Sequence, residues 1–402
     1  MALTNSPALY GGVTKTLHWL TVLLIFTVIP LGIIAHNWSF DTSEALATKA
    51  ILFSFHKTVG VTIFFVALAR IAWAVSQPKP GLLHADRKVE SWLAETVHWT
   101  LYAALVIVPL TGWIHHSATT GFAPIWWPFG QTLPFVPKDE GVAQTFAALH
   151  IVFERVLVIS LLLHIAGALK HHFVDKDVTL KRMLPGDVDA PAVGKHSAST
   201  APMIAAAGAY GLAVIVGLGL GVFAQKSTAS DVAALAEVET GWDVTEGTLG
   251  ISVTQLGSAV EGSFADWTAA IEFAEEPTDG SHGTVEVTIA IGSLSLGSVT
   301  DQAMGAEFFD AGNFPTATFT ADILPGDGDG YVAEGVLNLR GQESPVTLPF
   351  TLTLDGDTAT MEGTTTLDRR NYEIGIPSYS DESSVGFPVP VTVTLTAQRV
   401  SE

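Results

Sequence analysis

The chain has 402 residues, no cysteine, and 19 Lys+Arg against 40 Asp+Glu, a formal net charge of −21. It is 48% hydrophobic and only 15% charged, against roughly 25% charge in an ordinary soluble domain; the shortfall predicts membrane segments, and the length predicts two or three domains. Without cysteine, disulfides, thiolate nucleophiles, Cys-bound iron–sulfur clusters and c-type haem attachment are excluded, so any metal must be held by His, Met or carboxylate.

The charge is placed unevenly. Residues 1–200 carry 14 Lys/Arg and 12 Asp/Glu, a balance of +2, whereas residues 201–402 carry 5 and 28, a balance of −23. The acidic half repels phosphate and argues against nucleic acid as a partner.

In chain order, apolar runs fall at about 17–35, 50–75, 97–116 and 143–169. Each is long enough to cross the hydrocarbon of a bilayer, which takes roughly 20 predominantly apolar residues. A fifth run, Ala201 to Ala224, is uncharged. The first run holds His18 and is followed by His36, Trp38 and Phe40 rather than by a small-residue cleavage site, so it reads as a retained helix. The fifth ends in Val222-Phe223-Ala224, which has the look of a cleavage site. Its position after four other helices favours an anchor, with cleavage after Ala224 as the variant. Loop 76–96 (Lys79, Arg87, Lys88) and segment 170–195 (Lys170, Lys176, Lys181, Arg182, Lys195) are basic, whereas loops 36–49 and 117–142 have only Lys49 and Lys138. Basic short loops stay inside. The N-terminus is then cytoplasmic, and the acidic half lies outside, which in a Gram-negative bacterium is the periplasm. Residues 187–200 and 225–240 read as linkers around the fifth helix, 201–224.

Beyond residue 240 the period changes. Residues 284–291, 317–324, 331–339, 346–354 and 389–397 alternate apolar and polar. Turn clusters such as Pro325-Gly-Asp-Gly-Asp-Gly330 and Asp355-Gly-Asp357 separate them. About eight short strands with Gly/Asp turns predict an all-β antiparallel barrel or sandwich. The Asp-Gly pairs read as hairpin turns, being too few in ligands for a calcium loop.

Ionisable residues inside a membrane are costly, so those present are functional candidates. His150 and His164 lie 14 residues apart on one helix, close to four whole turns, so they share a face about 21 Å apart along the axis. That is too far for one small ion and right for two sites stacked across a bilayer. Topology pairs His18 with His164 at the inner depth and His56 with His150 at the outer depth. A bis-histidine pair in an apolar bundle suits b-type haem, with a proton path or a metal transporter as competing uses. Arg70 is 14 residues after His56, on the same face and level with the inner pair. It either faces a haem propionate or snorkels to the cytoplasmic surface. His98, His115, His116, His171 and His172 fall at helix ends, where propionates, a quinone head group or only the interface could engage them.

These residues carry a resemblance. Leu17-His18-Trp19, His56-Lys-Thr-Val-Gly60, Arg70, Leu149-His150, the run His164 to His172 and the tail Asp177 to Pro185 resemble the bacterial cytochrome b561 family over about 10–186. The resemblance implies a four-helix bundle with two b haems that exchanges electrons with ubiquinone. It carries the axial iron ligands over to His18, His56, His150 and His164. Members are described that oxidise superoxide and reduce quinone, and a related design serves nickel hydrogenases.

Residues 241–400 resemble the YceI-like family through Gly241-Trp-Asp-Val244, Val260-Glu-Gly-Ser-Phe264, Ala306-Glu-Phe-Phe-Asp310, Phe314-Pro-Thr-Ala-Thr-Phe319 and Leu339-Arg-Gly341. This implies an eight-stranded lipocalin-like barrel that holds a polyisoprenoid chain, isoprenoid quinones included. Family members often have His and basic residues where this chain reads Ser298-Val-Thr-Asp-Gln-Ala-Met-Gly305.

The resulting expectation is a bacterial inner-membrane dihaem cytochrome, quinone-linked, with a periplasmic lipid-binding barrel and an unidentified electron donor. The rival is a lipid-storing or redox-sensing barrel on a haem-containing anchor without sustained turnover. Steady-state quinone reduction separates the two.

Overall fold

The computed structural model describes residues 2–84, 86–119, 123–186, 188–190, 199–224, 232–238, 240–328 and 330–400. Most of the two expected linkers, 187–200 and 225–240, lies outside the described residues. The chain forms two compact units. One holds α1 (Gly12–Asn37), α3 (Lys88–Ala118), α4 (Glu140–Lys170), α5 (Ala201–Gly219) and α2 (Ser43–Ser76) from Ile51 onward, and the other holds all the strands.

All five helices are long and apolar enough to cross a membrane. They extend past the apolar runs because polar turns cap them; at the start of α4, for example, Asp139 Oδ1 accepts from the Val142 N–H at 2.7 Å. Ile25 and Val28 of α1, Ile63 and Ala67 of α2 and Leu105 of α3 form one buried cluster. α5 docks on α3 and α4: Tyr210 Oη donates to Thr100 O at 2.8 Å. At Gly217 a Cβ would lie 2.9 Å from Val152 Cγ2, the close approach that small residues allow between membrane helices. Leu23, Ile159 and Ile215 are 64%, 60% and 66% exposed. Such apolar exposure fits a hydrocarbon solvent, not water.

After α4 the chain makes one π-helical turn, His171–Asp175, and a left-handed residue, Lys176. The tail then lies back on the helix ends. Trp19 Nε1 donates to Met183 O at 2.8 Å, Lys15 Nζ to Leu184 O at 2.8 Å and Arg182 Nη1 to Gly81 O at 3.1 Å.

The second unit is one antiparallel sheet of ten strands. They are β1 (Trp242–Gln255), β2 (Ser258–Phe264), β3 (Trp267–Thr278), β4 (Ser281–Ala290), β5 (Leu294–Ser295), β6 (Thr316–Pro325), β7 (Tyr331–Leu339), β8 (Gln342–Asp355), β9 (Thr358–Asp368) and β10 (Pro388–Arg399). Their order is β3-β4-β6-β7-β8-β9-β10-β1-β2-β5. The sheet curls until the start of β1 reaches β3: Gly241 N donates to Ile271 O at 3.0 Å and Ile271 N to Thr240 Oγ1 at 2.9 Å. Curling back in this way leaves the sheet few unpaired edges. The count exceeds the expected eight partly because β5 pairs only two residues with β2, too short a stretch for any alternation. The Gly/Asp clusters are hairpin turns. Gly326 N donates to Gly330 O at 2.9 Å between β6 and β7, and Gly356 takes φ +62° between β8 and β9.

Candidate functional site

The four intramembrane histidines meet in two pairs. His18 and His164 have ring centres 6.2 Å apart, and His56 and His150 have theirs 6.4 Å apart. Two imidazoles on opposite sides of one first-row metal, at about 2 Å per bond, have nitrogens roughly 4 Å apart and ring centres about 6 Å apart. Both pairs match that span.

The outer pair is also set in its tautomer. His56 Nδ1 lies 3.0 Å from Val28 O on α1, and His150 Nδ1 lies 2.8 Å from Val108 O on α3. A carbonyl only accepts, so each Nδ1 donates and each Nε2 keeps its lone pair for a metal. The two settings repeat. Val28-Ile-Pro-Leu-Gly32 and Val108-Pro-Leu-Thr-Gly112 each supply a carbonyl and, four residues on, a glycine under the imidazole. A Cβ on Gly32 would come 2.7 Å from His56 Cε1, and one on Gly112 would come 3.0 Å from His150 Cε1. Both glycines make room for a ring, which is why a side chain is missing there.

The inner pair is arranged differently. Arg70 Nη2 lies 3.4 Å from His18 Nδ1, and its guanidinium stands 5.3 Å from the Tyr102 ring centre. No carboxylate forms an ion pair with Arg70 among the described residues. His98 packs edge-on against His164 with ring centres 5.1 Å apart. His115 Nδ1 bonds Ala143 O at 2.8 Å, and His116 packs on His115. Glu154, the intramembrane carboxylate that a transporter would use, pairs with neighbouring Arg155 at 3.5 Å.

Sequence reasoning missed a cluster below α4. Asp177 Oδ2 bonds His171 Nδ1 at 2.7 Å and His84 Nε2 at 2.9 Å, and the two imidazoles stack. Lys170 and Arg87 bridge Glu90 and Asp175 beside it. Burial pushes the Asp177 carboxyl up, but hydrogen bonds from Thr179, His171 and His84 outweigh it and hold the group well below the usual carboxylate range. The available signal was the single His in a basic loop facing the Asp of the tail.

The barrel encloses a cavity of about 280 Å³, lined by inward residues of nearly every strand, among them Leu249, Ile271, Phe319, Leu348 and Val391. Its walls are almost wholly apolar, the environment of an aliphatic ligand.

Residues 9–186 match the family profile of prokaryotic cytochrome b561. Over 189 residues the chain is 31% identical to cytochrome b561 homolog 2 of Escherichia coli (strain K12), covering 46% of this chain and 95% of that protein. The chain belongs to the prokaryotic cytochrome b561 family. A cytochrome b561 binds b haem, and the five apolar helices make this one a membrane protein. It is also 28% identical over 173 residues to the probable superoxide oxidase CybB of Yersinia pestis, covering 42% of this chain and 92% of that one.

Residues 241–397 of this cytochrome b561 match the YceI-like domain. They include a stretch of 143 residues 32% identical to the UPF0312 protein YE1254 of Yersinia enterocolitica, which spans 35% of this chain and 73% of that one. The protein therefore joins a membrane cytochrome b to a YceI-like, lipid-binding type of barrel.

Proposed function

We propose that this cytochrome b561 is a dihaem electron relay of the bacterial inner membrane that transfers electrons to ubiquinone. In this reading His18 and His164 hold one b haem and His56 and His150 hold the other. The observation that carries it is the pair of ring separations, 6.2 Å and 6.4 Å, set about 21 Å apart along α4 by the helical rise. Bound haem supplies reversible one-electron oxidation and reduction at each depth.

The protein's own residues orient and tune. The carbonyls of Val28 and Val108 fix the outer imidazoles by accepting from Nδ1, which raises the basicity of each Nε2. At the inner site Arg70 can only donate. With a metal held at Nε2, the His18 Nδ1 would carry a proton, so Arg70 would be left to pair with an anion, and a haem propionate would be a fitting partner. Apolar side chains around the pairs exclude water.

The basic loops support an N-terminus in the cytoplasm and a barrel in the periplasm. There the apolar cavity holds an isoprenoid lipid, ubiquinone among the candidates. Superoxide is the donor to try first, since a relative is named for its oxidation. Two superoxide anions give two dioxygen molecules, and their two electrons with two protons convert one quinone to quinol.

The test is haem quantitation with a reduced-minus-oxidised spectrum on detergent-purified full-length protein and on the four single His→Ala variants. Two b haems per chain, with one lost in each variant, are expected. A single haem indifferent to His56→Ala and His150→Ala overturns the relay.

A further inference from the structure

The second compact unit holds more than the strands. It also contains Trp38–Ala50, which is the connection from α1 to α2 together with the first turns of α2. Leu46 stands in that first part of α2 and would be open to solvent in an isolated helix. It is 1% exposed. Its side chain packs with Tyr379 and Val385, and Val253 and Phe308 lie against the same cluster. Val253, Phe308 and Val385 are also lining residues of the barrel cavity. Leu46 therefore closes that end of the cavity, although it belongs to no strand.

Hydrogen bonds hold the segment there. Tyr379 Oη donates to Phe40 O and accepts from Gln302 Nε2 at 3.2 Å. Ser384 Oγ donates to Ser43 O at 3.0 Å, and Ser43 N donates to Ser378 O at 3.4 Å. Ser378, Tyr379 and Ser384 all lie between β9 and β10.

The opposite end is built differently. There the lining stops at Trp242, Phe273, Leu352 and Ala397. Trp242 is paired with Arg399 in the β1–β10 ladder, and the Arg399 guanidinium stands 4.5 Å from its ring centre. Opening that end breaks main-chain bonds between strands, and a paired backbone group left without a partner is costly. Opening the other end withdraws one leucine and a few hydrogen bonds and leaves the ladder whole.

We propose that Leu46 is the stopper of the barrel, and that a lipid enters and leaves the cavity where Leu46 withdraws. The inference rests on the reading above that the cavity holds an isoprenoid. It adds the port, and it names the residue that keeps the port shut. The stopper belongs to α2, so its withdrawal leaves every strand in place.

The experiment measures exchange of a bound isoprenoid. Wild type, Leu46→Ala and the double variant Ser43→Cys/Ser384→Cys are purified at full length in detergent and loaded with deuterated geranylgeraniol. Excess unlabelled geranylgeraniol then chases the label, which is counted over time by native mass spectrometry. The natural chain has no cysteine, so within one molecule the two introduced thiols can pair only with each other, and the mass reports their oxidation. Leu46→Ala is expected to exchange roughly 10–100-fold faster than wild type, the scale of a leucine side chain taken out of its buried site. The oxidised double variant is expected to keep its label until reductant frees it. Exchange at the wild-type rate in Leu46→Ala, or an oxidised pair that exchanges as fast as the reduced one, overturns the port while leaving the isoprenoid cavity standing. Failure of wild type to load overturns the cavity reading, and the port with it.

Discussion

The two halves of the chain are turned inside out with respect to each other. In the bundle the histidines face inward and Leu23, Ile159 and Ile215 face outward. In the barrel the apolar residues line the interior and the acidic ones face out. Among the described residues, the large hydrophobic side chains left exposed beyond Leu220 are only Val238, Val336 and Val400. Water therefore bathes the second half, and hydrocarbon the first. The same rule, that a group goes where its solvent is cheapest, produces both patterns. A polar group found on the wrong side then marks a candidate site, as the four imidazoles do in the bundle.

The hardest way to break the comparison is to destroy one half and look at the other. Gly335 on β7 would place a Cβ 2.0 Å from Thr320 O and 2.5 Å from Ala321 Cα, both backbone atoms of β6. Neither can move without opening the β6–β7 ladder. Gly335→Val is expected to cost more than about 4 kcal/mol, the range that unfolds a domain. Limited proteolysis should then degrade the chain beyond residue 240, while the b-haem spectrum of the remaining membrane fragment persists. Loss of the haem spectrum in that variant would mean that the halves do not fold separately.

A smaller effect sharpens the bundle side. Gly32→Ala brings a Cβ to 2.7 Å from His56 Cε1, and Gly112→Ala brings one to 3.0 Å from His150 Cε1. Each displaces an imaginable ligand ring by pushing on it without removing it. Haem retention at the outer site is expected to weaken by roughly 10–100-fold, the scale of lost support around a metal ligand. Gly32→Ala should be the worse of the two, and the inner site should be unaffected. Haem-transfer kinetics to apomyoglobin measure both. Equal loss at the two depths would contradict separate sites.

The sequence carried some of this openly and some not at all. The 14-residue interval from His150 to His164 is a local property of one helix, so it could be read directly. Alternation in residues 389–397 likewise announced β10. The acceptors of His56 and His150 could not be read, because Val28 O and Val108 O are backbone atoms 28 and 42 residues away. Gly32 and Gly112 look like ordinary helix glycines until the facing ring is known. The bonds of Asp177 reach back to His84 across 93 residues.

The mildest test lies where the bundle leaves the membrane. Asp177 accepts from the Thr179 N–H at 2.8 Å as well as from His171 and His84. Asp177→Asn keeps the shape and removes the charge, so the hydrogen bonds persist only in weaker, neutral form. The expected cost is about 1–3 kcal/mol, the scale for a partner of charged hydrogen bonds. Its pH dependence has a definite sign. A carboxyl held below its ordinary range binds fewer protons folded than unfolded, so its contribution is complete above the unfolded value near 4 and is lost as pH falls through the folded one. Thermal melts followed at the haem absorption band should show a gap between wild type and variant that is steady at neutral pH and closes only in acid below about pH 4. A gap that already closes between pH 7 and pH 5 would overturn the assignment of the titration to the Asp177 carboxyl. It would make this cluster, unlike the acidic surface of the barrel, a proton-responsive part of the molecule.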